Sequence, residues 1–115
     1  MEVAAAIYRL TAKYPKNETY GMISQMRRAA VSVQSNIAEG QSRLTTGEFN
    51  HFLGIARGSL AELNTQLHVS VTLALTTPAD AEGLLSRVAE LGRVLNGLLR
   101  SLDENTNHQP LATSN

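Results

Sequence analysis

Two long runs of apolar residues, spaced alternately by three and four positions, constrain the fold of this chain more than any other feature. The first run comprises Phe49, Leu53, Ala56, Leu60, Leu63 and Leu67, and the second comprises Leu84, Val88, Leu91, Leu95, Leu98 and Leu102. This spacing places the members of each run on one face of an α-helix. Because such a face is stable only against another apolar face, the pattern predicts two long helices packed at a shallow angle.

Two further helices are predicted before the leucine-rich runs. The apolar face of the shorter one comprises Val3, Ile7, Leu10 and Tyr14. Pro15 is predicted to end it, since a proline disfavours helical geometry in the residue before it. The longer one is predicted to begin near Thr19 and to stop at Gly40, in the left-handed position that glycine tolerates best. Its apolar face comprises Met22, Met26, Ala29, Ala30, Val33 and Ile37.

Sequence signals for helix N-termini precede both leucine-rich runs. Thr45 and Glu48 have the spacing of a capping box, and Thr77, followed by a proline, is typical of an N-cap. No segment alternates with a period of two, and short connections favour antiparallel neighbours. The sequence therefore predicts an all-α fold, an up-down antiparallel four-helix bundle over residues 1–103, with a disordered C-terminal tail over residues 104–115.

The composition excludes several classes of site. The 115 residues include no cysteine, which rules out a disulfide, a thiolate zinc site and a thiol nucleophile. No apolar run approaches the roughly 20 residues needed to span a bilayer, and Glu2 stands where a signal peptide carries bases. We therefore expect a cytoplasmic protein without a membrane partner.

The charges are balanced in number but unevenly distributed along the chain. Ten Lys and Arg residues oppose ten Asp and Glu residues, which argues against a dedicated nucleic-acid-binding protein. Residues 1–43 nevertheless hold six bases against three acids, and residues 44–115 hold four bases against seven acids. This polarity favours packing between helices or subunits, with RNA binding as the alternative.

A polar seam is predicted beside the apolar faces of the second and third helices. Its members are Gln25, Arg28, Ser32, Ser35, Asn36 and Glu39 on the second helix, and Glu48, Ser59, Glu62, Gln66 and Ser70 on the third. The seam is rich in small hydroxyl and amide side chains, whereas Lys and Glu usually fill a solvated helix surface. We predict a packing and assembly network in which Arg28 pairs with Glu62 or Glu39. The alternative is an ordinary solvated face.

Two glycines lie four positions apart on the side of the third helix that faces away from its leucines. Gly54 and Gly58 each cost about 1 kcal/mol relative to alanine inside a helix. We predict that another backbone approaches closely at this face, through self-association. The alternative is that glycine is merely tolerated there.

Few residues suggest catalysis or cofactor binding. Glu48 and His51 form one Glu-x-x-His pair, whereas a di-iron bundle needs two such pairs and two further glutamates. The histidines share no spacing with an Asp or Ser that would suggest a triad, and the chain has no glycine-rich phosphate loop. We therefore predict a protein that is not an enzyme and that binds neither a metal nor a cofactor.

Four arginines are the candidates for contacts with nucleic acid. They are Arg27, Arg28, Arg43 and Arg57. In one subunit these side chains would form a modest basic patch. A ring of subunits would repeat the patch and so raise the affinity for phosphates steeply.

Three segments of the chain resemble one known family. The segments are YPKNETYGMISQMRRAAVSVQSNIAEG, EFNHFLGIARGSLAELNTQL and LNGLLRSL, and the resemblance covers roughly residues 3–102. They resemble the bacterial four-helix bundle proteins of the 23S rRNA intervening-sequence family. The resemblance implies a four-helix subunit that assembles into a homopentameric ring of unestablished biochemical role.

A related branch of proteins suggests the main alternative function. The accessory proteins of diversity-generating retroelements are similar pentameric barrels that bind a reverse transcriptase and nucleic acid, and their surfaces are more basic. The resemblance therefore implies a non-enzymatic oligomeric bundle, or else an RNA- or DNA-binding accessory factor associated with ribosomal RNA or a reverse transcriptase. The chain departs from the family pattern at Gln34, where members often have proline, and at Asn64, where they often have glutamate.

Overall fold

The computed structural model describes residues 2–108, and this part of the chain consists of four helices and their connections. The helices are α1 (Glu2–Thr11), α2 (Lys16–Gln41), α3 (Thr46–Thr72) and α4 (Pro78–His108). Within residues 2–108 there is no β-strand, which confirms the predicted all-α class. None of these helices combines the length and the apolar character needed to cross a bilayer.

The helices form a four-membered bundle in which each helix contacts two others. α2 packs against α1 and α3, and α4 packs against α3 and α1, so that α1 and α3 lie on one diagonal and α2 and α4 on the other. The connections are short, at residues 12–15, 42–45 and 73–77, which makes consecutive helices antiparallel. The predicted up-down bundle is therefore confirmed.

The helices differ greatly in length. α1 has 10 residues whereas α4 has 31, which correspond to lengths of about 15 Å and about 46 Å. The molecule measures 59 × 20 × 19 Å along its principal axes. α1 therefore covers only part of the bundle, over the first turns of α4.

The predicted leucine face of α3 forms the centre of the core. Leu53, Ala56, Leu60, Leu63 and Leu67 are all buried, and Phe49 packs against them while partly exposed. The face of α4 follows the prediction as far as Leu95, but Leu98 is 38% exposed and Leu99 is buried instead. An α-helix has 3.6 residues per turn, so a strict three-four alternation drifts away from the core and a step of four restores contact.

The boundary between α1 and α2 differs from the prediction. α1 ends at Thr11, yet Tyr14 in the following turn is only 2% exposed. α2 begins at Lys16, earlier than the predicted Thr19, because Pro15 occupies the N-cap position with φ −61° and ψ 122°. Proline suits a helix start since its missing N–H would have had no partner there.

Gly40 is helical, so the predicted left-handed cap at the end of α2 is wrong. α2 continues to Gln41, and among residues 2–108 no glycine has a positive φ. A Cβ atom at Gly40 would lie 2.9 Å from Cδ1 of Phe49 and 3.2 Å from Cβ of Phe52. Glycine is required here because α2 and α3 approach closely, and not because of its backbone freedom.

The ends of α3 and the start of α4 show ordinary capping. The Glu48 N–H donates to Oγ1 of Thr45 at 3.1 Å, and the Asp80 N–H donates to Oγ1 of Thr77 at 3.0 Å, which confirms both predicted N-caps. α3 ends in a Schellman motif, where Ala74 has φ 60° and its N–H donates to the carbonyl of Val71.

The C-terminal boundary also differs from the prediction. α4 continues to His108, so the first residues of the predicted tail over 104–115 are helical. Residues 109–115 of that predicted tail lie outside the described residues.

Candidate assembly surface on helices α2 and α3

Small polar side chains join α2 to α3 at the middle of the predicted polar seam. The hydroxyl oxygens of Ser32 and Ser59 lie 2.8 Å apart, and Nδ2 of Asn36 donates to the Ser32 carbonyl at 2.8 Å and to its hydroxyl at 3.1 Å. Each of the three side chains is partly buried. Small side chains allow the two helices to approach, and the hydrogen bonds satisfy the polar atoms that the approach buries.

A polar groove of about 480 Å³ lies beside this contact. Its lining comprises Gln25, Arg28, Ala29, Ser32, Ser59 and Glu62. Five of these six residues belong to the polar seam that the sequence predicts, so the fold brings five of the eleven seam residues into one concave surface. The groove holds one base and one acid, and its charges are balanced.

The predicted ion pair of Arg28 is absent from the single chain. Among the side chains that the structure describes, the ion pairs are those of Arg43 with Glu39 and of Arg93 with Glu90, so the prediction that Arg28 pairs with Glu62 or Glu39 is wrong for the single chain. Glu39 is held by Arg43, which lies one turn away. Arg28 and Glu62 both line the polar groove, but neither forms an ion pair in the part of the chain that the structure describes.

Gln66 lies at the inner edge of the seam. Its side chain is 7% exposed and its Nε2 donates to Oε2 of Glu62 at 3.4 Å. Its Oε1 is buried and accepts no hydrogen bond from the described residues. A buried acceptor without a donor costs about 1–3 kcal/mol, so Gln66 adds an unsatisfied polar atom to this side of the bundle.

The face formed by Gly54 and Gly58, which we call the glycine face, is open in the single chain. A Cβ atom built at either glycine would meet nothing within 4 Å. Exposed apolar side chains lie on the same outer side of α3, with Ile55 40% and Val69 37% exposed. The close approach predicted at these glycines does not come from within the described chain and would need a second molecule.

Arg27 is engaged by α1. Its Nε donates to Oγ1 of Thr11 at 3.0 Å, and its guanidinium carbon lies 4.5 Å from the centre of the Tyr8 ring. Nη2 of Arg27 also donates to the Tyr8 carbonyl at 3.4 Å. Because these contacts join α1 to α2, Arg27 is first of all a structural residue.

Two more of the predicted arginines are also engaged within the chain. Arg43 pairs with Glu39 and lies over the Phe52 ring at 4.8 Å, and Nη1 of Arg57 donates to Oδ1 of Asn96 at 3.4 Å. The four candidates therefore do not form one patch. Of the four, Arg28 is the one that lines an open groove and has no partner among the described residues.

The titratable groups show little that is typical of a catalytic centre. Burial raises the pKa of Tyr14, and the nearby Ser70 hydroxyl offsets only part of this effect. The Tyr14 hydroxyl neither donates nor accepts a hydrogen bond among the described residues. Ser70 instead directs its own hydroxyl to the Met26 sulfur, which lies 3.6 Å away. Among the side chains that the structure describes, no group of three or more His, Asp or Glu residues is placed to hold a metal ion.

Comparison with known proteins adds a single finding about the chain's relationships. The family model of the 23S rRNA-intervening sequence protein matches residues 1–97, which include α1, α2, α3 and most of α4. No curated protein shows a significant match to the sequence. The match includes both the polar groove and the glycine face.

Proposed function

We propose that this chain, which belongs to the 23S rRNA-intervening sequence protein family, is a non-enzymatic subunit of a homo-oligomer. The polar groove and the glycine face are its assembly surfaces. The family resemblance favours a closed ring of five subunits. One observation carries the proposal, namely that α3 both borders an open polar groove and presents two glycines with nothing within 4 Å of a Cβ atom, on two separate surfaces.

The charge balance of the polar groove supports this role. Arg28 and Glu62 line the groove without an ion-pair partner among the described residues, and Oε1 of Gln66 is buried without a donor. A surface that carries both charges is complementary to a protein surface that also carries both charges. Another copy of the chain carries such a surface, so no different binding partner is needed.

The glycine face supports the same conclusion through its shape. The distance between two packed helices depends on the side chains at the contact, and the absence of side chains at Gly54 and Gly58 permits a short distance. The exposed side chains of Ile55 and Val69 add apolar area beside them. In a ring, the groove side of one subunit meets the glycine face of its neighbour, and such a head-to-tail contact closes by rotation.

The experiment that tests this proposal is native mass by light scattering on a sizing column. We expect a mass of about five times the 12.4 kDa chain. The double variant Gly54→Gln, Gly58→Gln should shift the mass toward that of the monomer while leaving the helical content unchanged, because the single chain has space at both positions.

A matched control comes from two other glycines. Gly21 and Gly97 also have nothing within 4 Å of a Cβ atom, but they lie on α2 and α4. The variant Gly21→Gln, Gly97→Gln should keep the native mass of the wild type. A monomeric wild type, or equal losses of mass in both double variants, would contradict the proposed assembly surface.

The alternative function, a nucleic-acid-binding factor with a ring of Arg27, Arg28, Arg43 and Arg57, has less support. Three of these arginines already bind groups of their own chain. Any contact they made with phosphates would compete with those bonds. Basic side chains that have no such partner among the described residues lie elsewhere in the bundle.

A further inference from the structure

A second groove, between α1 and α4, collects bases without internal partners. The groove has a volume of about 400 Å³, and its charged lining comprises Arg9, Lys13, Asp80 and Arg87. All four side chains are exposed, and none forms an ion pair or a side-chain hydrogen bond within the part of the chain that the structure describes. We call this surface the basic groove.

The basic groove differs from the polar groove in its excess of positive charge. Three bases face one acid, whereas one base and one acid line the polar groove. The chain as a whole has no net charge, so the excess of positive charge in this groove is balanced by acidic residues elsewhere. Such an excess attracts an anion, and the bases need break no internal contact to bind it.

The arrangement of the three bases indicates the shape of the anion. Arg9 lies in the last turn of α1 and Lys13 in the turn that follows it, and Arg87 lines the same groove from α4. Bases distributed along both walls of a groove suit an anion with several charges in a row better than they suit a single phosphate. A phosphodiester chain is such an anion.

The width and floor of the groove limit the ligand further. Two packed helices have axes about 8–10 Å apart, so a surface groove between them is narrow and favours a single strand over a duplex. Gly83 lies in the lining, and a Cβ atom there would meet nothing within 4 Å. A backbone can therefore approach α4 closely at this point.

We propose that the basic groove binds the phosphate backbone of single-stranded nucleic acid. Arg9, Lys13 and Arg87 contact the phosphates, and Asp80 weakens the binding by repulsion. The groove reads no base, because the contacts are made to phosphates alone. This inference does not depend on assembly, since all its residues lie within one chain.

The test is a fluorescence anisotropy titration of a labelled single-stranded oligonucleotide with the full chain. For three phosphate contacts on a single strand, the logarithm of the affinity should fall with the logarithm of salt concentration at a slope of about −2. The variant Arg9→Gln, Lys13→Gln should reduce the slope to about −0.7 and raise the Kd at least about tenfold at low salt.

The control variant, Arg57→Gln, Arg93→Gln, removes the same total charge from side chains that have partners at Asn96 and Glu90. It should change the Kd by less than about twofold, since exposed charges at a distance are screened. Asp80→Asn should tighten binding by about twofold through the loss of a like-charge repulsion. Circular dichroism melting of each variant confirms that the helices are retained.

Four outcomes would overturn the proposal. They are no binding by the wild type at low salt, equal weakening by the two double variants, tighter binding of a duplex of the same sequence, and equally effective competition by poly-L-glutamate at matched charge. The last outcome would assign the groove to an acidic protein. Because the native mass is measured separately, a failure of binding leaves the proposed assembly untouched.

Discussion

The polar groove on α2 and α3 and the basic groove between α1 and α4 are similar in size but different in chemistry. Their volumes are about 480 Å³ and about 400 Å³. The first is lined by small hydroxyl groups and by one charge of each sign, and the second by three bases and one acid. The first therefore suits another protein surface, and the second suits a polyanion.

The helix pairs behind these grooves also differ in how tightly they pack. α2 and α3 are long and approach so closely at Gly40 that a Cβ atom would contact the Phe49 ring. α1 is short, and Gly83 on the facing side of α4 has open space around it. The tighter pair therefore borders a groove of balanced charge, and the looser pair borders a groove with an excess of bases.

The largest expected effect that tests this comparison is on stability, and it comes from replacing Gly40 or Gly83 by leucine. Gly40→Leu should lower the free energy of unfolding by about 1–3 kcal/mol, because the added atoms overlap Phe49 and Phe52. Gly83→Leu should raise it by up to about 1 kcal/mol through helix propensity. Urea unfolding measures both values, and a destabilising Gly83→Leu would break the contrast between the tight and the loose pair.

The adjacent arginines on α2 provide the second test. Arg27→Ala should cost about 1–2 kcal/mol, because it loses the bond to Thr11 and the contact with the Tyr8 ring. Arg28→Ala should change the stability of the monomer by less than about 0.5 kcal/mol, since Arg28 has no partner there. Urea unfolding at low protein concentration measures the effect of each substitution on the stability of the monomer. Equal losses would mean that Arg28 is engaged within the chain after all.

The serine contact between α2 and α3 should give a smaller effect. In a double-mutant cycle, Ser32→Ala and Ser59→Ala should show a coupling energy of about 0.5–1.5 kcal/mol, since their hydroxyls lie 2.8 Å apart. The cycle of Ser32→Ala with Thr65→Ala is the control, because the Thr65 hydroxyl donates to its own helix. A coupling near zero in the first cycle would show that the hydroxyl bond adds no stability.

The smallest effect concerns pH and the Tyr14 hydroxyl at the turn after α1. Burial raises the pKa of Tyr14 above its ordinary value of 10.0. The folded state therefore retains this proton longer than the unfolded state does. The associated stability is complete below the unfolded pKa and is lost as the pH rises through the folded pKa.

Tyr14→Phe should remove this part of the alkaline loss of stability. Unfolding free energies measured between pH 8 and pH 11, by about half-unit steps, should diverge from those of the wild type only above about pH 10. Tyr20→Phe is the control, because Tyr20 is 78% exposed. Parallel curves for Tyr14→Phe and the wild type would show that the buried hydroxyl does not contribute.

Most of the fold could be predicted from the sequence, because the signals are local. The spacing of Leu53, Leu60 and Leu67 identified the buried face of α3, and the threonines at positions 45 and 77 marked two helix starts. Both signals act within one or two turns of a helix. The errors at Thr11, Gly40 and Leu98 all concern where a regular pattern stops or shifts, which depends on the neighbouring helix.

The candidate site was predictable in its members but not in its contacts. The residues of the polar seam were identified by their shared face, and five of them line the polar groove. The pairing of Arg28 could not be inferred, since it depends on the relative register of α2 and α3. The grouping of Arg9, Lys13 and Arg87 was also missed, because no local pattern in the sequence shows which turns of α1 and α4 lie against each other.

The bundle of four amphipathic helices follows from the sequence, because helical periodicity and capping depend on residues three or four positions apart. Which polar groups find partners within the chain follows only from how the helices pack. The packing joins Arg27 to α1, leaves Arg28 in an open groove and brings three bases together between α1 and α4. These contacts join residues distant in the chain, so they follow from the packing of the helices and not from any local pattern.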